Sequence, residues 1–384
     1  MNTFPLNDQR PLVPDYIQKL TPYQAGKPID ELAREKNLTR ISKLASNENP
    51  LGPSPYAIKN MTLALWDVHR YPDISAYQLK KELCELYKLK KENIVLGSGS
   101  EGILSSIVRI FLQEGDEIVT AENTFMGFYV LAQAVGKKTI KVPLTKDYRF
   151  DVEKMASTIN ERTRLIYIAN PNNPTGTYIT KKEFDFLMEK VPNHCIVILD
   201  EAYFEFAKSL TPDFPDSMDY RYDNVITLRT FSKAYGLAGI RVGYGFAHEN
   251  FIFNLNKIKL PFEPNSLAQA GACGALFDQP HLQRTLDNNK VLLRLLINTL
   301  KNAGLSPIPS VTNFLATPMG SAEANEWFCN SLLDEGVIVR NLKSFLMPEV
   351  MRISIGTKGE MDHFFEAFHK ILPTFKHKFA KDLA

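Results

Sequence analysis

The stretch from Thr230 to Tyr244, TFSKAYGLAGIRVGY, decides the fold and the chemistry that this sequence predicts. It begins at the end of the apolar, strand-like segment NVITLRTFS, and Lys233 follows among hydroxyl-bearing and small residues. A lysine in such surroundings can be desolvated and held near neutrality, which Schiff-base chemistry requires. Thr230, Ser232 and Arg241 offer two hydroxyls and a guanidinium, a set that can hold a phosphate. The stretch therefore predicts a reactive lysine beside an anion site.

Apolar strands and amphipathic helices alternate on both sides of this stretch. KTIKVPL, RTRLIYIAN and HCIVILDEAY are rich in Ile and Val, and helical patterns such as KKEFDFLMEKV lie between them. This alternation predicts an α/β fold with a mostly parallel central sheet that helices cover on both faces. After about residue 261, a long helical stretch, short strands and a final helix predict a smaller α+β domain. We expect an arm and part of the small domain in 1–45, a large domain in 46–260 and the small domain in 261–384.

The composition argues against several classes of protein. The chain has 384 residues, of which 44% are hydrophobic, and its formal net charge is only +2, so nothing favours nucleic acid or a membrane surface as a partner. Its 4 cysteines contain no CxxC pair, which argues against a zinc site or a disulfide scaffold. No apolar run reaches the roughly 18 residues of a membrane span. These features predict a soluble cytoplasmic protein without a metal.

The turn from Gly97 to Gly102 fits two interpretations. It follows the strand-like NIVL and opens a helical pattern, where free backbone N–H groups and the helix dipole favour a phosphate. The same residues match GxGxxG, and Glu122 lies about twenty residues further on, as in a dinucleotide site. An NAD-dependent oxidoreductase is therefore an alternative, although it leaves Lys233 unexplained.

Two further strand ends carry unusual polar residues. Asn170–Thr177 reads NPNNPTGT, a loop that its two prolines make rigid enough to aim an Asn side chain at a ligand. Asp200 ends an apolar strand, and a carboxylate there is costly unless it has a partner. A protonated pyridine nitrogen is one suitable partner. Tyr203 lies close enough in sequence to reach the same ligand; a simple turn and a helix N-cap are the structural alternatives.

Taken together, these strand ends resemble the fold-type I aminotransferases of class I/II, which use pyridoxal 5'-phosphate. The resemblance covers nearly the whole chain and implies that Lys233 forms the Schiff base, Asp200 pairs with the pyridine nitrogen, and Asn173 and Tyr203 contact the pyridoxal O3′. It implies Lys233, Asp200 and Tyr203 as catalytic residues. The cofactor-binding set that it implies is Gly99, Ser100, Glu101, Phe125, Asn173, Asp200, Tyr203, Thr230, Ser232, Lys233, Arg241 and Tyr71.

Finer features resemble the histidinol-phosphate aminotransferases. The segments LTPY at 20–23, LASNENPLGPSP at 44–55, RYPD at 70–73, VRN at 339–341 and MRISIGT at 351–357 carry this resemblance. It implies Tyr23, Asn49, Arg340 and Arg352 as substrate-binding residues, with Arg352 also taking the carboxylate of the amino acceptor. It further implies a homodimer, since Tyr71 would reach the cofactor phosphate of the partner subunit.

Two departures from that pattern concern the substrate. Phe125 stands where a Tyr commonly stacks on the pyridine, which keeps the stacking and loses a hydroxyl. The segment NLKSFLMPEVM, before Arg352, lacks an expected glycine-rich turn. The expected reaction is transfer of the amino group of L-histidinol phosphate to 2-oxoglutarate, in histidine biosynthesis. The alternatives are another amino-acid aminotransferase, with an aromatic donor for example, a decarboxylase of the same family, and a cofactor-binding sensor without turnover.

Overall fold

The structure is a computed structural model and describes residues 11–20, 38, 40–219 and 222–382. Within these residues, seven strands form a central sheet in the order β2-β8-β7-β6-β5-β3-β4. β8 is antiparallel to both of its neighbours, and every other pair in the sheet is parallel. The strands are β2 (Ile94–Gly97), β3 (Glu117–Ala121), β4 (Lys138–Val142), β5 (Thr163–Ala169), β6 (Ile196–Asp200), β7 (Val225–Thr230) and β8 (Gly243–Phe246).

Helices cover both faces of this sheet, because its inner strands are apolar on both faces. One layer of core contains Ile103, Phe128 and Leu255, and the other contains Phe184 and Leu187. The helices of this part are α1 (Asp15–Gln18), α2 (Pro55–Ala64), α3 (Tyr77–Tyr87), α4 (Gly99–Ile110), α5 (Met126–Ala134), α6 (Val152–Thr158), α7 (Lys181–Lys190), α8 (Phe204–Leu210), α9 (Glu249–Ile258) and α10 (Ser266–Phe277).

The C-terminal part builds a separate core around two small sheets. The strand pairing is β11-β12-β9, antiparallel, while β1 pairs in parallel with β10. Phe328, Phe364 and Phe368 are fully buried in this core. The strands are β1 (Ser42–Lys43), β9 (Phe314–Pro318), β10 (Val337–Ile338), β11 (Arg340–Asn341) and β12 (Val350–Ser354), and the helices are α11 (Gln279–Asn302), α12 (Ala322–Asp334) and α13 (Lys358–Lys378).

The prediction of an α/β fold with a mostly parallel sheet and a smaller α+β part is confirmed. Several described elements were not predicted, among them helix α2 and the antiparallel strand β8. The β8 sequence GYGF has glycine at alternate positions, so it lacks the run of β-branched residues that marks a strand. The domain boundaries at 45 and 260 stay predictions.

Candidate active site

A cavity of about 190 Å³ lies beyond the carboxyl ends of β5, β6 and β7. This is the edge at which ligands bind in open α/β sheets, because several strand ends and helix N-termini meet there. Its lining combines apolar walls with hydroxyl, carboxylate, amide and cationic groups. The lining residues are Ser100, Glu101, Phe125, Ala169, Pro171, Asn173, Asp200, Ala202, Tyr203, Thr230, Ser232, Lys233, Ala238 and Arg241.

One end of the cavity is a cradle for an anion. The N-terminus of α4, a helix of 12 residues, lies beside Arg241, whose Nη1 donates to Ser232 Oγ at 3.3 Å. Thr230 Oγ1 donates to the same Ser232 oxygen at 3.0 Å. Helix N–H groups, a hydroxyl pair and a guanidinium together provide the donors and positive potential that a phosphate needs.

Close backbone approach makes this cradle possible. Gly243 packs directly under the start of α4, and a Cβ on it would lie 2.4 Å from the backbone N of Ser100. Gly99 has a φ of +74°, and a Cβ there would lie 2.6 Å from Arg241 Nη2. A side chain at either position would displace the helix terminus or the guanidinium. The anion cradle therefore requires glycine at these two positions.

Asp200 faces the opposite end of the cavity from within the sheet. Its Oδ2 accepts a hydrogen bond from Tyr167 Oη at 2.8 Å, while Oδ1 has no hydrogen-bond partner among the described residues. Burial raises the pKa of Asp200 to about 6, and the bonds from Tyr167 and the Ala202 N–H, together with the charge of Lys233, oppose that rise. A buried oxygen without a partner is a suitable acceptor for the N–H of a protonated ring.

Lys233 and Tyr203 line the same cavity. Lys233 Nζ is 5.7 Å from the centre of the Tyr203 ring. Tyr203 packs edge-on against Phe314, and its hydroxyl accepts a hydrogen bond from Asn47 Nδ2 at 3.0 Å. The amine therefore shares one cavity with the anion cradle and the Asp200 carboxylate.

Asn173 and the two predicted arginines lie along one side of the site. Arg352 Nη1 donates to Asn173 Oδ1 at 2.5 Å, and its Nη2 donates to the carbonyl of Ala45 at 3.0 Å. Arg340 is the direct cross-strand partner of Arg352 in the β11–β12 pair. Side chains of directly paired residues lie on the same face of a sheet. The two guanidiniums therefore belong to one face, the face from which Arg352 reaches Asn173.

Five of the predicted residues that the structure describes do not line this cavity: Gly99, Arg340, Arg352, Tyr71 and Asn49. Tyr71 is 81% exposed and stacks on Phe262, with ring centres 4.2 Å apart. Asn49 is buried and donates from Nδ2 to the Ala234 carbonyl at 2.9 Å, so the structure shows it in contact with the protein rather than the cavity. Tyr23 lies outside the described residues. The roles of all these residues stay predictions.

Two site residues were missed in the sequence. Tyr167, in the middle of β5, holds Asp200. Asn47, in the N-terminal segment before α2, holds Tyr203. Tyr167 gave no signal, because a Tyr in an apolar strand is usually a core residue. Asn47 did give one, because it stands in the segment LASNENPLGPSP at 44–55; its φ of +54° is a conformation that Asn adopts more readily than most residues.

A buried ionic cluster lies next to the site. Arg229, fully buried on β7, donates from Nε to Glu201 at 2.8 Å and from Nη2 to Asp216 at 2.8 Å. Glu205 lies in the same region, and burial raises its pKa to about 7 while the charge of Arg229 opposes the rise. The cluster fixes the end of β6 immediately after Asp200.

The cavity fits pyridoxal phosphate on three independent grounds. The anion cradle suits the phosphate, the partnerless Oδ1 of Asp200 suits the pyridine N–H, and the amine of Lys233 lines the same cavity. Phe125 adds an aromatic wall. Among the described residues, no group of three or more His, Cys, Asp or Glu side chains is placed to hold a metal ion. In the same part of the chain, no helix is both long and apolar enough to cross a membrane.

Fold and site define an enzyme that transfers amino groups with pyridoxal phosphate. Residues 39–368 match the family described as aminotransferase class I and II, and the chain belongs to that family. The alternatives of an NAD-dependent oxidoreductase and a sensor without turnover are therefore wrong. The glycine turn at Gly97–Gly102 serves instead as the start of α4.

The chain is also similar to individual proteins whose names state one substrate. It is 44% identical to a histidinol-phosphate aminotransferase 2 of Hydrogenovibrio crunogenus, over 94% of this chain and 97% of that protein. It is 42% identical to the protein of the same name in Pseudomonas fluorescens, over 93% and 96%. A solved structure of histidinol-phosphate aminotransferase from Sinorhizobium meliloti, in complex with pyridoxal-5'-phosphate, has a TM-score of 0.86 at 27% identity and covers 96% of this chain and 99% of that one.

Proposed function

We propose that the protein transfers the amino group of L-histidinol phosphate to 2-oxoglutarate, yielding imidazole acetol phosphate and L-glutamate in histidine biosynthesis. The single observation that carries the choice of substrate is the pairing of Arg340 with Arg352 beside the cavity. Two guanidiniums suit the phosphate of the donor, which carries close to two negative charges, and one suits the carboxylate of the acceptor. The names of the relatives support the same donor.

The proposed roles of the cavity residues follow from where they lie. When bound, pyridoxal phosphate supplies an electron sink that stabilises negative charge at the substrate carbon. Lys233 Nζ holds the cofactor at rest and then takes the proton from that carbon and returns it, as general base and acid. Asp200 keeps the pyridine nitrogen protonated. Asn173 and Tyr203 hold the ring oxygen, while Ser232, Thr230, Arg241 and the start of α4 hold the phosphate.

We further propose that the protein works as a homodimer in the cytoplasm. A set of large apolar side chains at the end of α2 and in the segment that leads to α3, which we call the apolar face, is exposed: Leu63 (59%), Leu65 (52%), Trp66 (82%), Val68 (57%), Tyr71 (81%) and Ile74 (57%). A face of this size on a water-soluble chain is characteristic of a surface that another subunit covers. Tyr71 lies on it, as the proposed contact with the partner's cofactor phosphate requires.

The test compares Arg340→Gln with the parent enzyme in two half-reactions. Arg340 is assigned to the donor phosphate alone, so we expect kcat/KM for L-histidinol phosphate to fall roughly tenfold to a hundredfold, the loss of one charge-assisted hydrogen bond. The rate of the half-reaction between the aminated enzyme and 2-oxoglutarate should stay within about twofold of the parent rate, because Arg340 is not assigned to that substrate. Stopped-flow absorbance of the cofactor measures both rates separately.

Arg352→Gln is the matched comparison, because Arg352 is assigned to both substrates and should slow both half-reactions. Equal losses in the two half-reactions for Arg340→Gln would contradict its assignment. An enzyme that converts phenylalanine faster than L-histidinol phosphate would overturn the proposed substrate and keep the class.

A further inference from the structure

A run of buried hydrogen bonds joins Tyr203 to strand β12 through Asn47. Asn47 Nδ2 donates to Tyr203 Oη at 3.0 Å, and Ser354 Oγ donates to Asn47 Oδ1 at 2.8 Å. The Ser354 oxygen in turn accepts from the backbone N–H of Asn47 at 2.9 Å. The three residues are between 1% and 3% exposed. In this arrangement the NH2 group of Asn47 lies on the side of Tyr203 and its oxygen on the side of Ser354.

This arrangement decides what the Tyr203 hydroxyl can do. The NH2 group of Asn47 can donate but cannot accept, so Tyr203 accepts this bond and keeps its own proton for another partner. The cavity is the polar space that Tyr203 lines. A hydroxyl that accepts one hydrogen bond becomes a better donor of the next, because the two bonds polarise each other.

We infer that Asn47 is a positioning residue that makes the Tyr203 hydroxyl a hydrogen-bond donor toward the ring oxygen of the bound cofactor. The inference rests on the proposed function, in which that oxygen lies beside Tyr203. Asn47 itself does not line the cavity and acts only through the hydroxyl. Its backbone is anchored independently, since Asn313 Nδ2 donates to the Asn47 carbonyl at 3.2 Å.

A donated hydrogen bond favours the more negative state of its acceptor. The bound cofactor becomes more negative when it loses a proton, so Asn47 lowers the pH at which that loss occurs. The charged groups that line the cavity with Tyr203 are Lys233, whose Nζ is 5.7 Å from its ring, and Asp200, Glu101 and Arg241. Arg352 lies beyond Phe314, with its guanidinium 5.1 Å from that ring. The variants below leave all these charges in place.

The experiment records the visible absorption of the holoenzyme against pH and takes the midpoint of the transition. Asn47→Gly removes the amide and tolerates the positive φ, so we expect the midpoint to rise by about half a pH unit. Ser354→Ala keeps Asn47 and removes only the hydroxyl that orients its amide. It should raise the midpoint less, and it decides the question if Asn47→Gly does not fold.

Tyr203→Phe separates positioning from a merely structural effect. It should raise the midpoint on its own, and adding Asn47→Gly to it should then change nothing further. The inference is overturned if Asn47→Gly and Ser354→Ala both keep the parent midpoint, or if the Asn47→Gly shift persists in the Tyr203→Phe background. Absence of any visible band when pyridoxal phosphate is added to the parent protein would instead refute the proposed function, and the inference with it.

Discussion

Asp200 and Glu205 are buried carboxylates five positions apart that differ in what surrounds them. Asp200 has a hydroxyl donor, a backbone donor and a nearby lysine, which keep its raised pKa at about 6. Glu205 depends mainly on the charge of Arg229, and its pKa is raised further, to about 7. The surroundings of Asp200 support an ionised carboxylate that can pair with a cationic ring. The surroundings of Glu205 favour the protonated acid.

Asp200→Asn should remove the charge that keeps the cofactor ring protonated. Because the anion cradle and Lys233 remain, we expect the cofactor still to be bound, with kcat lower by roughly a hundredfold or more, as for loss of a buried electrostatic partner. Cofactor content after alkaline release and the single-turnover rate with L-histidinol phosphate measure the two effects. A variant with normal turnover would contradict the role of Asp200.

Glu205→Gln should make stability less dependent on pH. The folded state binds the Glu205 proton more tightly than the unfolded state, so this stability is fully present below about pH 4.5 and is lost as the pH rises to about 7. At pH 8 the variant should therefore be more stable than the parent, by roughly 1–3 kcal/mol, and at pH 5 the difference should shrink.

Thermal unfolding at both pH values measures this difference, and Glu153→Gln, at an exposed position of α6, is the control. A Glu205→Gln protein that is less stable than the parent at pH 8 would show that the attraction between Glu205 and the charge of Arg229 outweighs the cost of burial.

At the scale of elements, the anion cradle depends on how closely β8 approaches the start of α4. Gly243→Ala places a methyl group 2.4 Å from the backbone N of Ser100, so the helix terminus must move away from the phosphate. We expect the Kd for pyridoxal phosphate to rise roughly tenfold to a hundredfold, as for loss of charge-assisted hydrogen bonds. Fluorescence titration of the apoprotein measures it.

Gly239→Ala is the matched control, since nothing lies within 4 Å of the added carbon. If both variants bind the cofactor equally well, the close approach of β8 has no part in the cradle.

The elements also show what could be predicted from the sequence. Strands such as β5, β6 and β7 are rich in β-branched residues and alternate with helices, so the sequence predicted a parallel sheet. That sheet in turn predicted that Asn173, Asp200 and Lys233 meet at one edge. β8 could not be predicted in the same way, because its glycines serve packing contacts, Gly243 with the start of α4 and Gly245 with β2 and β7. Asn47 could not be placed, because its partner Ser354 is 307 residues away. Local patterns do not encode such a contact.

At the scale of the whole molecule, the apolar face predicts the assembly. Trp66→Glu places a charge on that face, so we expect the proposed dimer to dissociate at micromolar concentration. Cofactor affinity should fall together with dimerisation, because Tyr71 would no longer reach the partner's phosphate. Sedimentation velocity measures the first effect and a cofactor titration the second.

Phe253→Glu is the control for this prediction, since Phe253 is 65% exposed on α9 and does not belong to the apolar face. A Trp66→Glu protein that sediments like the parent would exclude this face as the dimer contact.

β1 pairs with β10, and Asn47 pairs with Ser354, so an early segment of the chain obtains its partners only late in synthesis. At roughly 5–20 residues per second, a ribosome needs roughly 15–60 seconds to make the 307 residues that separate Asn47 from Ser354. Until β10 and β12 have been made, the early segment around Leu44 lacks these partners, although the central sheet, which ends at Phe246, is complete well before them. During synthesis, the nascent chain therefore exposes an apolar segment to which chaperones can bind. The substrate side of the active site is the last part of the site to fold.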